Sequence, residues 1–154
     1  MQVTKGERIM VNTRTIEFND IVDNNNKNRP MGHLTAIESN VDVPFEIKRI
    51  YYLTQVPENT IRGFHSHKNL QQVLVCLNGS VEISLSTPFE KKMVLLDTPS
   101  IGLYIGPMIW REMYNFSPGS VLVVLASEHY DEDDYIRDYR QYCEVAKEFF
   151  DSIR

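Results

Sequence analysis

Along most of the chain, apolar and polar residues alternate with a period of two, the pattern of strands that bury one face. Thr15-Ile16-Glu17-Phe18 reads as a short strand or turn and Gly32-His33-Leu34-Thr35-Ala36-Ile37-Glu38 as a strand, separated by the loop-forming stretch at 23–30. Residues 45–53 form the next, with Arg49, Tyr51 and Leu53 on one face and Lys48, Ile50 and Tyr52 on the other. In Arg62-Gly63-Phe64-His65-Ser66-His67-Lys68 the same period puts His65 and His67 on one face. The apolar run Val73-Leu74-Val75-Cys76-Leu77, the Asn78-Gly79 turn and the alternating Val81-Glu82-Ile83-Ser84-Leu85 predict a hairpin. Strands follow at 93–96, 101–105 and 121–126, set apart by turns bearing Pro99, Pro118 and Gly119. Near the end the period changes. Tyr139, Tyr142, Cys143, Ala146, Phe149, Phe150 and Ile153 recur at helical spacing and mark one apolar stripe. Many short, regularly spaced strands and one terminal helix predict an all-β sandwich or barrel carrying a C-terminal α-helix.

Composition changes this picture little. A chain of 154 residues with 42% hydrophobic and 24% charged residues suits one globular domain. It divides into a flexible N-terminal arm at 1–14, a barrel at 15–132 and a helical segment at 133–154 packed on it. The net charge of −5 argues against nucleic acid as a partner but not against an anion held by a few local cations. Cys76 and Cys143 read as reduced thiols. No apolar run is long enough to span a membrane and no signal-peptide core is evident, so a cytoplasmic location is expected. The acidic stretch from Glu128 to Asp134 reads as a solvated loop ahead of the helix, and the lone His33 as a solvent-facing strand residue.

The His-x-His strand, the apolar strand after it and the Asn-Gly turn resemble the first motif of the cupin superfamily. In metal-binding cupins a Glu and a third His complete the ligand set. Here the Glu position reads Gln72, a poor carboxylate substitute, and Gly102-Leu103-Tyr104-Ile105-Gly106-Pro107-Met108-Ile109-Trp110 supplies no histidine. No metal and no other cofactor is expected, which leaves the histidines free for acid–base work.

Four stretches together resemble one cupin family, the sugar-nucleotide 3,4-ketoisomerases. They are the Gly32–Glu38 strand, Arg62-Gly63-Phe64-His65-Ser66-His67-Lys68, Pro107-Met108-Ile109-Trp110, and Ala126-Ser127-Glu128-His129-Tyr130-Asp131-Glu132-Asp133-Asp134-Tyr135-Ile136-Arg137. The resemblance covers roughly residues 15–140. It implies a metal-free jelly roll, a homodimer with exchanged strands, and dTDP-4-keto-6-deoxy-D-glucose as substrate. The ketone would move from carbon 4 to carbon 3 through an enediol(ate), on the way to 3-amino-3,6-dideoxy sugars of glycans such as the O-antigen of lipopolysaccharide.

The same resemblance implies roles. His65 aligns with the base of the related 3,5-epimerases and is assigned proton abstraction from carbon 3. His67 would move protons between the oxygens or return one to carbon 4, and Tyr51 would donate to a sugar oxygen. Arg62 and Lys68 are expected on pyrophosphate or sugar oxygens, with Arg49 and Gln72 also in the binding set. Trp110 either packs along the sugar or thymine or belongs to the core, and Arg111 affects the face on which carbon 4 is reprotonated. Three rival readings stay open: a sugar-nucleotide 3,5-epimerase, a non-catalytic sugar-binding cupin and a metal-dependent cupin.

Overall fold

The chain passes back and forth between two antiparallel sheets. The computed structural model describes residues 12–22 and 31–153. Its strands are β1 (Thr13–Glu17), β2 (Asp20–Val22), β3 (His33–Thr35), β4 (Arg49–Thr54), β5 (Arg62–His67), β6 (Gln72–Asn78), β7 (Val81–Ser86), β8 (Lys91–Leu96), β9 (Ile101–Ile105), β10 (Trp110–Tyr114), β11 (Val121–Ala126) and β12 (Tyr135–Ile136), followed by helix α1 (Tyr139–Ser152). One sheet has the order β1-β9-β6-β11-β4, the other β12-β5-β10-β7-β8, and β2 pairs β3 in a separate hairpin. Successive strands from β4 to β7 and from β8 to β11 change sheet at every step. This is the arrangement of a cupin-type jelly roll, in which inward side chains of both sheets share one core.

Alternation along each strand sorts the side chains. Leu74, Cys76, Ile83, Leu85, Leu103, Ile105, Leu122 and Val124 point between the sheets and are buried. On the other side of the first sheet, Val73, Val75 and Leu125 meet Phe18, Val43 and Phe45 in a second core. The segment between β3 and β4 therefore covers that sheet, which explains why Phe45 is buried although the strand begins only at Arg49.

Several expectations change. The Asn78-Gly79 turn does not close a hairpin, because β6 bonds to β9 and β11 while β7 bonds to β8 and β10. It turns the chain from one sheet to the other. Gly79 has φ +73°, and a Cβ there would lie 2.3 Å from Ser117 Oγ, so no side chain fits. Strands β10 and β12 were not evident from the pattern. β10 is buried from both sides, so it lacks a clean alternation. β12 is two residues long and places a piece of the C-terminal segment in the barrel, beyond the boundary drawn at 132. Of the N-terminal arm, residues 1–11 lie outside the described residues, as does the loop at 23–30. Thr13 and Arg14 belong to β1, paired with Ile105 and Tyr104. His33 is exposed and contacts Asp20 at 2.9 Å, and both cysteines are free thiols. No helix among the described residues is long and apolar enough to cross a membrane.

Helix α1 begins at Asp138, whose side chain accepts from the Gln141 backbone N–H at 2.7 Å. It buries Tyr142, Ala146 and Phe150, while Tyr139 and Ile153 at the margins of the predicted stripe stay half exposed. Tyr142 Oη lies 2.9 Å from the carbonyl oxygens of both Ser86 and Met108, pinning the helix to the loops beside β7 and β10. Phe150→Ala should cost about 3 kcal/mol by removing a buried aromatic ring, and Tyr142→Phe about 1 kcal/mol by removing one buried donor. Urea denaturation should rank the two variants in that order. Equal midpoints to wild type in both would mean that α1 does not hold the barrel.

Candidate active site

The inward face of β5 is built around an irregularity. Gly63 has φ +98° and Phe64 φ +55°, and the register with β10 shifts between Arg111 and Glu112. A Cβ at Gly63 would lie 2.8 Å from the Arg111 carbonyl, so only glycine permits this approach of the two strands. The bulge turns the Gly63 carbonyl toward the His65 ring, whose Nδ1 lies 3.0 Å from it. A carbonyl only accepts, so Nδ1 carries the proton and Nε2 keeps its lone pair.

Register explains the company His65 keeps. His65 stands opposite Arg111 on β10, and His67 opposite Tyr135 on β12, close enough for cross-strand side chains to interact. The two imidazoles meet edge to face with ring centres 4.9 Å apart, and Tyr135 packs on both, at 5.0 Å from His65 and 4.3 Å from His67. Burial first, and the Arg111 charge second, push the His65 imidazole down to about 4. It is neutral at physiological pH. His67 is fully buried, and the same two causes hold it far below the usual imidazole range.

Arg111 has no exposed surface. Its Nη1 donates to Gln72 Oε1 on the facing sheet, and its Nη2 to the Ile109 carbonyl at 2.9 Å. Burial lowers the guanidinium to about 10, so it remains charged. Gln72 uses its other end as a donor, with Nε2 2.8 Å from Tyr51 Oη. A glutamate here would have to accept from the phenol and would occupy its only donor. The amide leaves that proton to Tyr51, whose pKa is raised by burial, so the phenol is a protonated donor near neutral pH.

These groups border a cavity of about 400 Å³ lined by Arg49, Tyr51, Tyr52, Leu53, Arg62, Gly63, His65, Met113, Tyr130, Tyr135 and Arg137. Three arginines and four tyrosines face it, and none of these lining residues is acidic. The Arg49 guanidinium lies 5.2 Å from the centre of the Tyr51 ring and 5.7 Å from that of Tyr130. Arg137 lies 4.2 Å over the Tyr135 ring and is held by Glu132, with Nε to Oε1 at 2.8 Å and Nη2 to Oε2 at 3.1 Å. Tyr130 also donates to Glu132, and the hydrogen bonds from Arg137 and Tyr130 hold this carboxyl at about 2.

Of the residues singled out in the sequence, His65, Tyr51, Arg49 and Arg62 border the cavity. Gln72 and Arg111 lie behind it, bonded to each other. His67 is sealed beneath His65 and Tyr135, so its placement does not offer the direct contact with a ligand that strand alternation suggested. Lys68 turns away, its Nζ donating to the Asp133 carbonyl at 2.8 Å. Trp110 lies on the opposite face of β10 from Arg111, packed against Tyr139 and Tyr142 of α1, with Nε1 bonded to Glu112 at 3.2 Å. It borders a separate depression on the outside of that sheet. Among the described residues, no three His, Cys, Asp or Glu side chains are grouped to hold a metal ion. Tyr130, Tyr135 and Arg137 were missed as cavity residues because they follow or lie within an acidic run that reads as solvated. The signal that could have found them was the family motif Tyr130-Asp131-Glu132-Asp133-Asp134-Tyr135-Ile136-Arg137, in which Tyr and Arg are interleaved with the acidic residues.

Comparison with known proteins identifies the family. The model of the FdtA family (WxcM-like, C-terminal) matches residues 11–147. A TDP-4-oxo-6-deoxy-alpha-D-glucose-3,4-oxoisomerase from Aneurinibacillus thermoaerophilus is 48% identical over 126 residues, which are 82% of this chain and 86% of that protein. The crystal structure of QdtA, a sugar 3,4-ketoisomerase from Thermoanaerobacterium thermosaccharolyticum in complex with TDP, is 55% identical. It superposes with a TM-score of 0.84 over 90% of this chain and 97% of that one. A 3'-monoepimerase from Streptomyces bikiniensis, 13% identical with a TM-score of 0.66 over 80% of this chain and 67% of that one, shares the fold alone. By its match along nearly the whole described barrel and helix, the chain belongs to the FdtA, WxcM-like C-terminal family, with 3,4-ketoisomerases among its relatives.

Proposed function

We propose that this chain is a sugar-nucleotide 3,4-ketoisomerase acting on dTDP-4-keto-6-deoxy-D-glucose. The observation that carries the reading is a neutral histidine, its lone pair on Nε2, bordering a cavity with three guanidinium groups and no lining carboxylate. In an acidic chain such a cavity selects for an anion. Arg62, Arg49 and Arg137 suit the pyrophosphate, since the guanidinium fork matches phosphate oxygens. The identities to relatives named as 3,4-ketoisomerases support the same reaction, whereas the epimerase likeness is confined to the fold.

In this scheme His65 Nε2 takes the proton from carbon 3, and the electron pair moves into the carbon 3–carbon 4 bond, leaving an enediolate with its charge on the oxygen of carbon 4. Tyr51 donates to that oxygen, and the hydroxyl proton of carbon 3 replaces the one Tyr51 gave. The His65 imidazolium then delivers its proton to carbon 4, and the ketone stands at carbon 3. The sum is an isomerisation, with no proton gained or lost. The buried positive charge of Arg111, next to His65, favours the developing negative charge. The scheme calls for no metal. The product enters 3-amino-3,6-dideoxy sugar synthesis for surface glycans such as O-antigen, in the cytoplasm, and the working form is a homodimer.

His65→Asn keeps the size and polarity of the side chain but removes the base. Turnover should fall by roughly a hundred- to ten-thousand-fold, with dTDP affinity by calorimetry little changed and wild-type turnover indifferent to a chelator. Near-normal turnover in the variant sinks the mechanism, and loss of wild-type turnover on chelation sinks its metal independence.

The pH profile is a separate check. A base must be neutral to act, and His65 is neutral above about 4. Plotted against pH, kcat/KM, which reports the free enzyme, should therefore stay level from pH 7 to pH 5 and decline only as pH falls through about 4. An acid limb near ~6.5, the ordinary imidazole value, would show that His65 is not desolvated as described.

Assembly is tested by sedimentation, where a dimer at micromolar concentration is expected and a monomer alone would remove the homodimer from the proposal.

A further inference from the structure

Among the described residues the His65 ring has a single hydrogen-bond partner, a carbonyl two residues away. That bond fixes the tautomer but leaves the tilt of the ring to packing, and the packing partner at its edge is His67. His67 is held in turn by Asp134, whose Oδ2 lies 3.2 Å from Nδ1. Asp134 is itself fixed at both oxygens, with Oδ1 accepting from the Asn69 backbone N–H at 2.9 Å and Oδ2 from that of Leu70 at 3.2 Å. Its backbone carbonyl accepts from the Lys68 N–H at 2.9 Å. The carboxylate therefore cannot swing away without releasing the turn that follows β5.

We propose that Asp134 is a positioning residue for the isomerisation: acting through His67, it holds the His65 ring in the orientation from which Nε2 meets the sugar. This role rests on the function proposed above. The Asn69 amide takes Oδ1, while the Leu70 amide and His67 Nδ1 share Oδ2, so all three donors are met only when both oxygens accept. Only a carboxylate offers two accepting oxygens, whereas an asparagine offers one oxygen and an NH2 that can only donate. With its oxygen kept on the Asn69 amide, at 2.9 Å the shortest of the three bonds, an asparagine turns its NH2 toward Leu70 and His67 Nδ1, and the ring then has to accept there and carry its proton on Nε2. In wild type His67 Nε2 is buried and has no hydrogen-bond partner among the described residues. An N–H in its place would be an unsatisfied buried donor, so the ring shifts, and the His65 ring stacked on its edge shifts with it. The same logic governs a catalytic histidine whose orienting aspartate becomes asparagine.

The test uses the full chain with ring-¹⁵N-labelled histidine. In wild type, His67 should show the Nδ1–H tautomer, and an Nε2–H tautomer or an imidazolium there overturns the proposal without any variant. Asp134→Asn should convert His67 to the Nε2–H form and lower kcat on the order of ten- to a hundred-fold, the range for residues that orient a functional group from behind. KM and dTDP affinity should move less than about twofold. Asp134→Glu, which keeps a carboxylate, should restore the His67 tautomer and part of kcat. Unchanged kcat in Asp134→Asn, or a loss confined to dTDP affinity, overturns the role. A wild type that binds dTDP but does not isomerise the sugar removes the functional reading, and this role with it. Unchanged turnover of Asp134→Asn beside an active wild type removes this role alone.

Discussion

A fully buried guanidinium with no bonded carboxylate among the described residues is the constraint around which the interior of this protein is arranged. Removing a charge from water costs several kcal/mol even after relaxation, and Arg111 offsets that cost with an amide and a backbone carbonyl rather than with an opposite charge. The bond to Gln72 crosses from one sheet to the other, so the guanidinium also ties together the two halves of the roll. The positive charge of Arg111 is felt by its neighbours. It depresses His65, which faces it across the ladder, and favours anionic oxygen in its vicinity. A glutamate at position 72 would have neutralised that charge and engaged the Tyr51 hydroxyl as a donor, so that it could not donate to a ligand.

The acidic run before the helix shows how one composition supports two placements. Glu132 is exposed, where it clamps Arg137 above the Tyr135 ring at the cavity. Two residues on, Asp134 turns inward to cap the end of β5 and bond His67. The short strand β12 makes the difference, because pairing Tyr135 with His67 turns this stretch from a tether into a wall of the site. The C-terminal segment is thus part of the site as well as a cover for the barrel.

What the sequence determined by itself was the class of fold, the polarity of most strand faces and one half of the site. Period-two alternation is a local property, set by backbone geometry, so the faces carrying Arg49, Tyr51, His65 and His67 were legible without any tertiary information. The helix was legible for the same reason, from a local change of period. The family resemblance added the reaction, through short motifs around His65 and between Tyr130 and Arg137.

Tertiary structure decided everything that depends on which strands become neighbours. Alternation assigns a face but not a partner, so the Asn78-Gly79 turn looked like a hairpin until β6 and β7 proved to bond to different strands. It could not say that Trp110 faces the helix while Arg111 faces the core, since β10 is buried on both sides and carries no alternation to read. Nor could it separate His65 from His67. Both lie on one strand face, but only the packing of Tyr135 closes one of them off from the cavity while leaving the other beside it, and that contact comes from a strand 68 positions further along the chain, Tyr135 against His67. Burial is a property of the assembled core, and no local pattern encodes it.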